Sequence, residues 1–348
     1  MTESIKIADR YIGRNHAPFV IAEMSGNHNQ SLERALQIVE AAARAGAHAL
    51  KIQTYTADSM TLDLDEGEFH ISDPNSLWAG TSLYKLYGEA FTPWEWHKPI
   101  FDRARELGMT AFSTPFDDKG VEFLESLDVP CYKIASFENA HLPLIKKVAA
   151  TGKPMIISTG MASIAELDEA VSAIRESGCE QFMLLKCTST YPTSPENSNV
   201  LTIPHMRDLF ECEIGLSDHT NNIYSSILAL SYGVVAIEKH VKINSKSETV
   251  DSSFSISLNQ LNELSQLMKS LYKGISSKGN FKYSKTNRSS LIFRKSIFST
   301  KDIKKGEKFS KENIDTFRGL YGLKANNYFK ILGKKSKKKI KKNTPIYY

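Results

Sequence analysis

Short apolar runs rich in Val, Ile, Leu and Phe recur along the first two thirds of the chain. They are FVIAE (19–23), ALKIQT (49–54), MTAFST (109–114), CYKIAS (131–136), PMIIST (154–159), FMLLKCT (182–188), CEIGLS (212–217) and VVAIEKHV (234–241). Runs of this length with little alternation suit strands buried on both faces. Between them the apolar positions take a helical period, as in WEWHKPIFDRARELG and SIAELDEAVSAIRESG. Ser163 and Glu166 have the spacing of a capping box, and Gly46, Gly108, Gly152 and Gly178 stand where helices would stop before the next strand. Eight strand–helix units predict an α/β chain folded as a (β/α)8 TIM barrel. A doubly wound sheet is the alternative, although it rarely needs eight continuous parallel units.

The pattern also divides the chain. The last barrel helix is expected at 257–275, so that residues 1–275 make the barrel, with a polar linker at 276–290 and a small module of short strands at 291–348. Residues 55–93 form one long excursion after the second strand, and loops of that length are usually functional or ordered by a ligand.

Composition narrows the setting. No apolar run approaches the roughly 18 residues of a membrane span, and the opening MTESIKIADR lacks the apolar core of a signal peptide. Four cysteines without CxxC spacing suit a reducing cytoplasm and argue against a disulfide framework or a cysteine-built zinc site. Charge is unevenly spread: from Arg288 onward there are 18 Lys or Arg against 4 Asp or Glu, and before it 26 against 35. A basic module on an acidic body could attract phosphates, carboxylates or an acidic partner; the plainer reading of KKSKKKIKK (334–342) is a solvated tail.

Barrel enzymes build their sites from the C-terminal ends of the strands. Those ends carry Glu23; Lys51 and Gln53; Ser113 and Thr114; Lys133 and Ser136; Ser158 and Thr159; Lys186, Ser189 and Tyr191; Ser217, Asp218 and His219; and Glu238 and His240. Lysines inside strands are unusual, because an unpaired buried charge is costly. Lys51, Lys133 and Lys186, with Ser136, Ser158 and Ser217, predict a nest for a small anion, most simply a phosphate plus a carboxylate. A local ion pair is the alternative for any single lysine. His219 and His240 end successive strands and are candidate ligands for a divalent metal, with the carboxylates of Asp218 and Glu238 nearby. Glu238 would otherwise orient a histidine. Glu23 is the best carboxylate for proton transfer, unless it only pairs with a strand lysine. His28 is read as a hydrogen-bonding residue of the first loop rather than a third ligand. The sequence has no GxxxxGKS/T phosphate loop, no GxGxxG at a strand–helix junction, no GxSxG elbow and no HExxH.

The motifs IAEMSGNHN, LKIQTYT, FSTPFD, YKIAS, IISTGMA, LLKCTSTYPT, GLSDHT and IEKH, in this order, resemble the sialic acid synthase family. Met24-Ser25, LYKLYGEAFTPWEWH, IASFE and VDSSFS look closest to its pseudaminic acid synthase branch, and the C-terminal module resembles the antifreeze-like (SAF) domain that follows the barrel in these enzymes. The resemblance implies condensation of phosphoenolpyruvate with an open-chain amino sugar, for this branch 2,4-diacetamido-2,4,6-trideoxy-L-altrose, to give pseudaminic acid and phosphate. It implies that His219 and His240 bind Mn2+, with Mg2+ or Co2+ as alternatives. Lys51 and Thr114 would hold the phosphoenolpyruvate carboxylate, and Lys133, Ser136, Ser158 and Ser217 its phosphate. Ser189 stands where the family carries a phosphate-contacting Asn. Glu23 would handle protons, with Asp251 as a second catalytic carboxylate facing the sugar beside Gln53, Tyr191 and Phe254. Arg318 would reach the barrel of a partner subunit, which implies a domain-swapped homodimer.

This chain departs from the family pattern at four places. Gln30 replaces a Gly after NHN, and Asn221 and Asn222 follow DHT where a Gly is usual. RGLYG (318–322) replaces RPGxG, and Glu248-Thr249 replaces Gly-Gly. Synthases for N-acetylneuraminic or legionaminic acid are the nearest alternative functions. A degenerate barrel that docks on nucleic acid or an acidic partner is a distant one, since polar chemistry persists on all eight strands and no helix-turn-helix is evident.

Overall fold

In the computed structural model the described residues are 4–244, 246, 248–276 and 285–348. They fall into two compact units that divide at Ser276 and Ser277. Residues 277–284 of the expected linker lie outside the described residues, and Lys285–Phe293 form a 3-10 segment.

The first unit is a closed (β/α)8 barrel. Phe19–Glu23, Ala49–Thr54, Thr110–Pro115, Tyr132–Ile134, Met155–Ser158, Phe182–Cys187, Glu213–Asp218 and Ala236–Lys242 pair in parallel in chain order, and the last strand closes on the first. The strands differ from the expected ranges by at most two residues at either end. Successive side chains on a strand point to opposite faces. One set, including Val20, Leu50, Ile157 and Ile214, packs against the helices. The other, including Phe19, Ala49, Phe112, Ile156 and Leu185, fills the barrel interior. Ile5, Ile7 and Ile12 join that interior core from an antiparallel hairpin, Ile5–Ile7 with Arg10–Ile12, which packs at the N-terminal end of the strands. The hairpin is absent from the sequence reading.

Local signals fix the helix ends. Ser163 and Glu166 form a reciprocal capping box on the helix Ile164–Glu176, and Ser257 with Gln260 does the same for Leu258–Ile275. The excursion after the second strand contains the short helix Ala57–Met60, a 3-10 turn at Gly67–Phe69 and the helix Leu83–Ala90. No helix among the described residues is long and apolar enough to cross a membrane.

The second unit is built on an antiparallel pair, Lys295–Ser299 with Ile314–Arg318. Ile297, Ile303, Phe309, Ile314, Ile331, Ile340 and Ile346 form its core. The lysine-rich run is therefore no free tail. Ser336 and Ile340 are buried between exposed lysines, and bridges from Lys335 to Lys308 and from Ile340 to Ile303 fix its backbone.

Candidate active site

At the C-terminal ends of the strands the inward-facing set turns from apolar to polar. Ala49 is followed by Lys51 and Gln53, Ile156 by Ser158, and Ala236 by Glu238 and His240, each two residues further along its strand. The period of two thus aims these groups at one mouth. They surround a cavity of about 370 Å3.

Lys51, Lys133 and Glu238 form its base with Glu23 behind them, and all four are no more than 3% exposed. Lys51 Nζ lies 2.7 Å from Glu23 Oε2 and 3.8 Å from Glu238 Oε1, and donates to Thr114 Oγ1 at 3.2 Å. Lys133 Nζ lies 3.6 Å from Glu238 Oε1 and donates to Ser158 Oγ at 2.7 Å. Each buried charge therefore has an opposite charge beside it, which is what permits burial. Burial pushes Glu23 up to about 7, against the pull of Lys51. Burial also pushes Glu238 upward, but Lys133 and Lys51 outweigh it and hold Glu238 below the usual carboxylate range.

Glu23 and Thr114 sit behind Lys51 rather than on the cavity surface. Glu23 connects to the cavity through Lys51 and through Gln53, whose amide donates to Glu23 Oε1 at 3.2 Å and to Ser25 Oγ at 3.2 Å. Ser25 in turn donates to Asp251 Oδ2, which also accepts from the Gly26 N–H at 2.9 Å. Asp251 lines the cavity, and burial raises its pKa.

Ser136, Ser158, Ser189 and Ser217 line the cavity beside Lys133. The Gly160 N–H donates to Ser136 Oγ at 3.1 Å, and a Cβ on Gly160 would come within 2.0 Å of Ser189 Oγ and 2.7 Å of Ser136 Oγ. A side chain here would have to displace both serines. Across the cavity the rings of His219 and His240 stand 5.2 Å apart. Tyr191 packs on His219 at 4.6 Å, and Phe254 packs on His240 at 4.9 Å and on Tyr191 at 4.8 Å.

The donor set fits a divalent ion held by two imidazoles. His240 Nδ1 is buried without a hydrogen-bond partner, and burial holds His240 well below the usual histidine range, as a neutral ligand requires. At His219 burial is outweighed by the Cys187 thiol beside it, which raises His219, so a metal there would displace its proton. His219 Nδ1 is engaged by the Thr188 carbonyl at 3.0 Å, which leaves Nε2 for a ligand. Among the described residues no cluster of three or more His, Cys, Asp or Glu side chains is arranged to hold a metal. Further positions would fall to substrate and water.

Two expectations are corrected. Lys186 does not converge with Lys51 and Lys133: it lies on the opposite parity from Leu185 and Cys187 and donates to the Cys187 carbonyl at 2.8 Å and Thr188 Oγ1 at 3.1 Å. Asp218 also faces away from the mouth. It accepts from the Thr220 N–H at 2.9 Å and Ser226 Oγ at 2.6 Å and pairs with Lys239 at 3.3 Å, which shapes the loop that carries His219. His28 is buried in the first loop, where it bonds Thr92 and packs on Trp96. Asn27 ties the same loop to Val241 and Ser255, and accepts from Thr249, one of the two residues that replace Gly-Gly. Arg318 belongs to the second unit, exposed at the end of its strand.

The sequence reading missed the apolar side of the cavity. Met60, Ile71, Trp78, Leu83, Leu86 and Tyr87 from the excursion line it, as do Cys187 and Ser25. Ser25 has a left-handed backbone, φ +48, which turns the chain straight out of the first strand; a Ser-Gly pair at a strand end was the available signal.

Comparison with known proteins agrees with this arrangement. Residues 38–280 match the NeuB family and residues 294–348 match the SAF domain. The chain is 40% identical to the pseudaminic acid synthase of Campylobacter jejuni subsp. jejuni serotype O:2, over 93% of each chain. It is also 40% identical to the pseudaminic acid synthase of Helicobacter pylori, over 94% of this chain and 96% of that one. A crystal structure of N-acetylneuraminic acid (sialic acid) synthetase from Leptospira borgpetersenii superposes with a TM-score of 0.74 at 27% identity, covering 84% of this chain and 96% of that one. This chain, a parallel barrel followed by a SAF domain, belongs to the NeuB family.

Proposed function

We propose that the barrel condenses phosphoenolpyruvate with 2,4-diacetamido-2,4,6-trideoxy-L-altrose and water, giving pseudaminic acid and phosphate. The observation that carries this reading is one cavity with buried lysines and serines on one side, two imidazoles opposite, and an apolar wall between, in a chain 40% identical to pseudaminic acid synthases. Lys51, held from behind by Thr114, would take the substrate carboxylate, and Lys133, Ser136, Ser158, Ser189 and Ser217 the phosphate. Gln53, Tyr191, Asp251 and Phe254 would face the sugar. The wall of Trp78, Leu83, Leu86 and Tyr87 suits a 6-deoxy sugar with acetamide methyls better than one with a 6-hydroxyl.

In the reaction, C3 of phosphoenolpyruvate bonds to the sugar aldehyde carbon, and the aldehyde oxygen gains a proton to become a hydroxyl. Water adds to the resulting cationic C2 and gives up a proton. The C2 hydroxyl then gives up its remaining proton as phosphate leaves by C–O cleavage, taking up that proton, and the 2-keto group forms. A divalent ion held by His219 and His240, Mn2+ or alternatively Mg2+ or Co2+, would supply Lewis-acid polarisation of the aldehyde oxygen. Lys51 links binding to proton transfer. It is the group that most strongly opposes the burial of Glu23. A substrate carboxylate that shares Lys51 weakens that opposition and raises the proton affinity of Glu23. Glu23, and Asp251 on the cavity surface, are the proposed proton carriers.

The proposal includes a domain-swapped homodimer in which Arg318 meets the partner's sugar. Its exposed neighbours Leu320 and Tyr321 support such a contact surface. The setting is the cytoplasm, consistent with four free, buried cysteines.

Product mass from the protein incubated with phosphoenolpyruvate, Mn2+ and a panel of sugars tests the reading. Pseudaminic acid from the altrose derivative is expected. Faster phosphate release with N-acetylmannosamine or the legionaminic acid precursor would overturn the choice of sugar. A second expectation concerns Gly160→Ala, which displaces Ser136 and Ser189. The KM for phosphoenolpyruvate should rise about tenfold or more, with the sugar KM little changed, as read from initial rates.

A further inference from the structure

Asn29 and Gln30 both have left-handed backbones, φ +49 and +52. Asparagine tolerates that region, but a glutamine there carries a steric penalty that glycine would avoid. The Gln30 side chain is exposed and outside the cavity lining, and its amide nitrogen makes two hydrogen bonds. Nε2 donates to the carbonyls of Glu89, at 3.0 Å, and Phe91, at 2.7 Å. The Glu89 carbonyl lies in the last turn of the helix Leu83–Ala90, which has no intrahelical donor left for it, and Phe91 is the extended residue that follows the helix. Gln30 thus supplies a cap from a distant segment. His28 grips the backbone of Gln30: its Nδ1 accepts the Gln30 N–H at 3.1 Å, so Nε2 carries the ring hydrogen and donates to Thr92 Oγ1 at 3.2 Å.

The clasped helix is one part of the apolar wall, with Leu83, Leu86, Tyr87 and Ala90 facing the cavity. Its approach to the first loop is close, since a Cβ on Gly26 would stand 3.5 Å from the Ala90 Cα. Lys133, Ser158 and Ser217 stand on strands that this clasp does not touch. We infer that Gln30 is a positioning residue for the acceptor side of the cavity: it fixes the end of helix Leu83–Ala90 and thereby sets affinity for the sugar and not for phosphoenolpyruvate. The inference rests on the proposed condensation for its substrate, while the clasp itself stands on geometry alone.

Four variants test it. Gln30→Gly removes the cap and relieves the backbone, so the thermal midpoint should hold or rise while the sugar KM rises about five- to twentyfold, with the KM for phosphoenolpyruvate and kcat within about twofold of the parent. Gln30→Ala should show the same KM change with a lower midpoint. Gln30→Glu, which cannot donate to carbonyls, should be at least as impaired as Gln30→Gly. Gln30→Lys retains a long donor and should recover most of the sugar affinity. An unchanged sugar KM in Gln30→Gly, or equal rises for both substrates, overturns the inference. If the parent protein turns over no sugar in the panel, the proposed function fails instead. Hydrogen exchange of the amides of residues 83–91 then decides the clasp: faster exchange in Gln30→Gly and near-parent exchange in Gln30→Lys support it, and equal exchange in all variants rejects it.

Discussion

His219→Ala and His240→Ala are each expected to lower kcat/KM by about a thousandfold or more, the equivalent of roughly 4 kcal/mol of transition-state stabilisation. The fold should survive in both. His240 Nδ1 has no hydrogen-bond partner, so its removal leaves no protein group unsatisfied. His240→Ala loses packing against Phe254, and His219→Ala loses packing against Tyr191 and its bond to the Thr188 carbonyl, which still accepts from Thr193 Oγ1. Initial rates with saturating Mn2+, near-ultraviolet circular dichroism and titration with the metal separate the effects: turnover and metal affinity should fall together while the dichroism is retained. A variant with near-normal turnover after chelation would sink the proposal that these imidazoles hold a catalytic ion.

Lys51→Met has the second large expected effect, and it falls on stability and activity at once. The substitution strands Glu23, at 2.7 Å, and removes one of two cations near Glu238. Breaking a buried pair by deleting one partner costs about 3 kcal/mol or more. The pH dependence follows from the sign of the Glu23 shift. Burial already raises Glu23 to about 7, and Lys51 is the strongest group holding it down, so its pKa climbs further in the variant. A carboxylate raised in the folded state contributes stability that is full below its unfolded pKa and is lost as pH rises through its folded pKa. From the usual carboxylate range up to about 7 both proteins lose this stability in parallel, so the deficit of Lys51→Met should widen only as pH rises through about 7 toward the higher folded pKa of the variant. Denaturant unfolding at several pH values reads this directly, and a pH-independent deficit would show that Glu23 is not the group left stranded. Turnover should fall at least a hundredfold, mostly through the KM for phosphoenolpyruvate.

Much of the barrel was legible because strands buried on both faces read as continuous apolar runs, and all eight stand within two residues of their expected ends. The clustering of polar groups at the mouth followed from strand ends alone. Parity was the rule left unused. Counting by twos from Leu185 places Cys187 in the cavity and turns Lys186 out of it; the same count from Ser217 turns Asp218 toward the helices. The hairpin Ile5–Ile12 was missed because strands of three residues give too few positions for a period. Ile340 and Ile346 went unread as core because single isoleucines near a lysine run carry no periodic signal; only Ile297 and Ile303, far back in sequence, give them a partner. The role of Gln30 depends on contacts some sixty residues away, which no local pattern reports.

The closing seam of the barrel has a consequence for its making. Glu23 and His240 are register partners across the pairing of the first strand with the last. Until Ala236–Lys242 has left the ribosome, Phe19–Glu23 keeps an open edge able to pair with a foreign strand. Lys51 and Lys133 also lack Glu238 during that interval, so the partly made barrel holds more buried cation than it can neutralise. Contacts this distant in sequence form late. The eighth strand alone therefore supplies the pairing that closes the edge of the first, the Glu238 carboxylate that balances the lysines and the second imidazole of the pair.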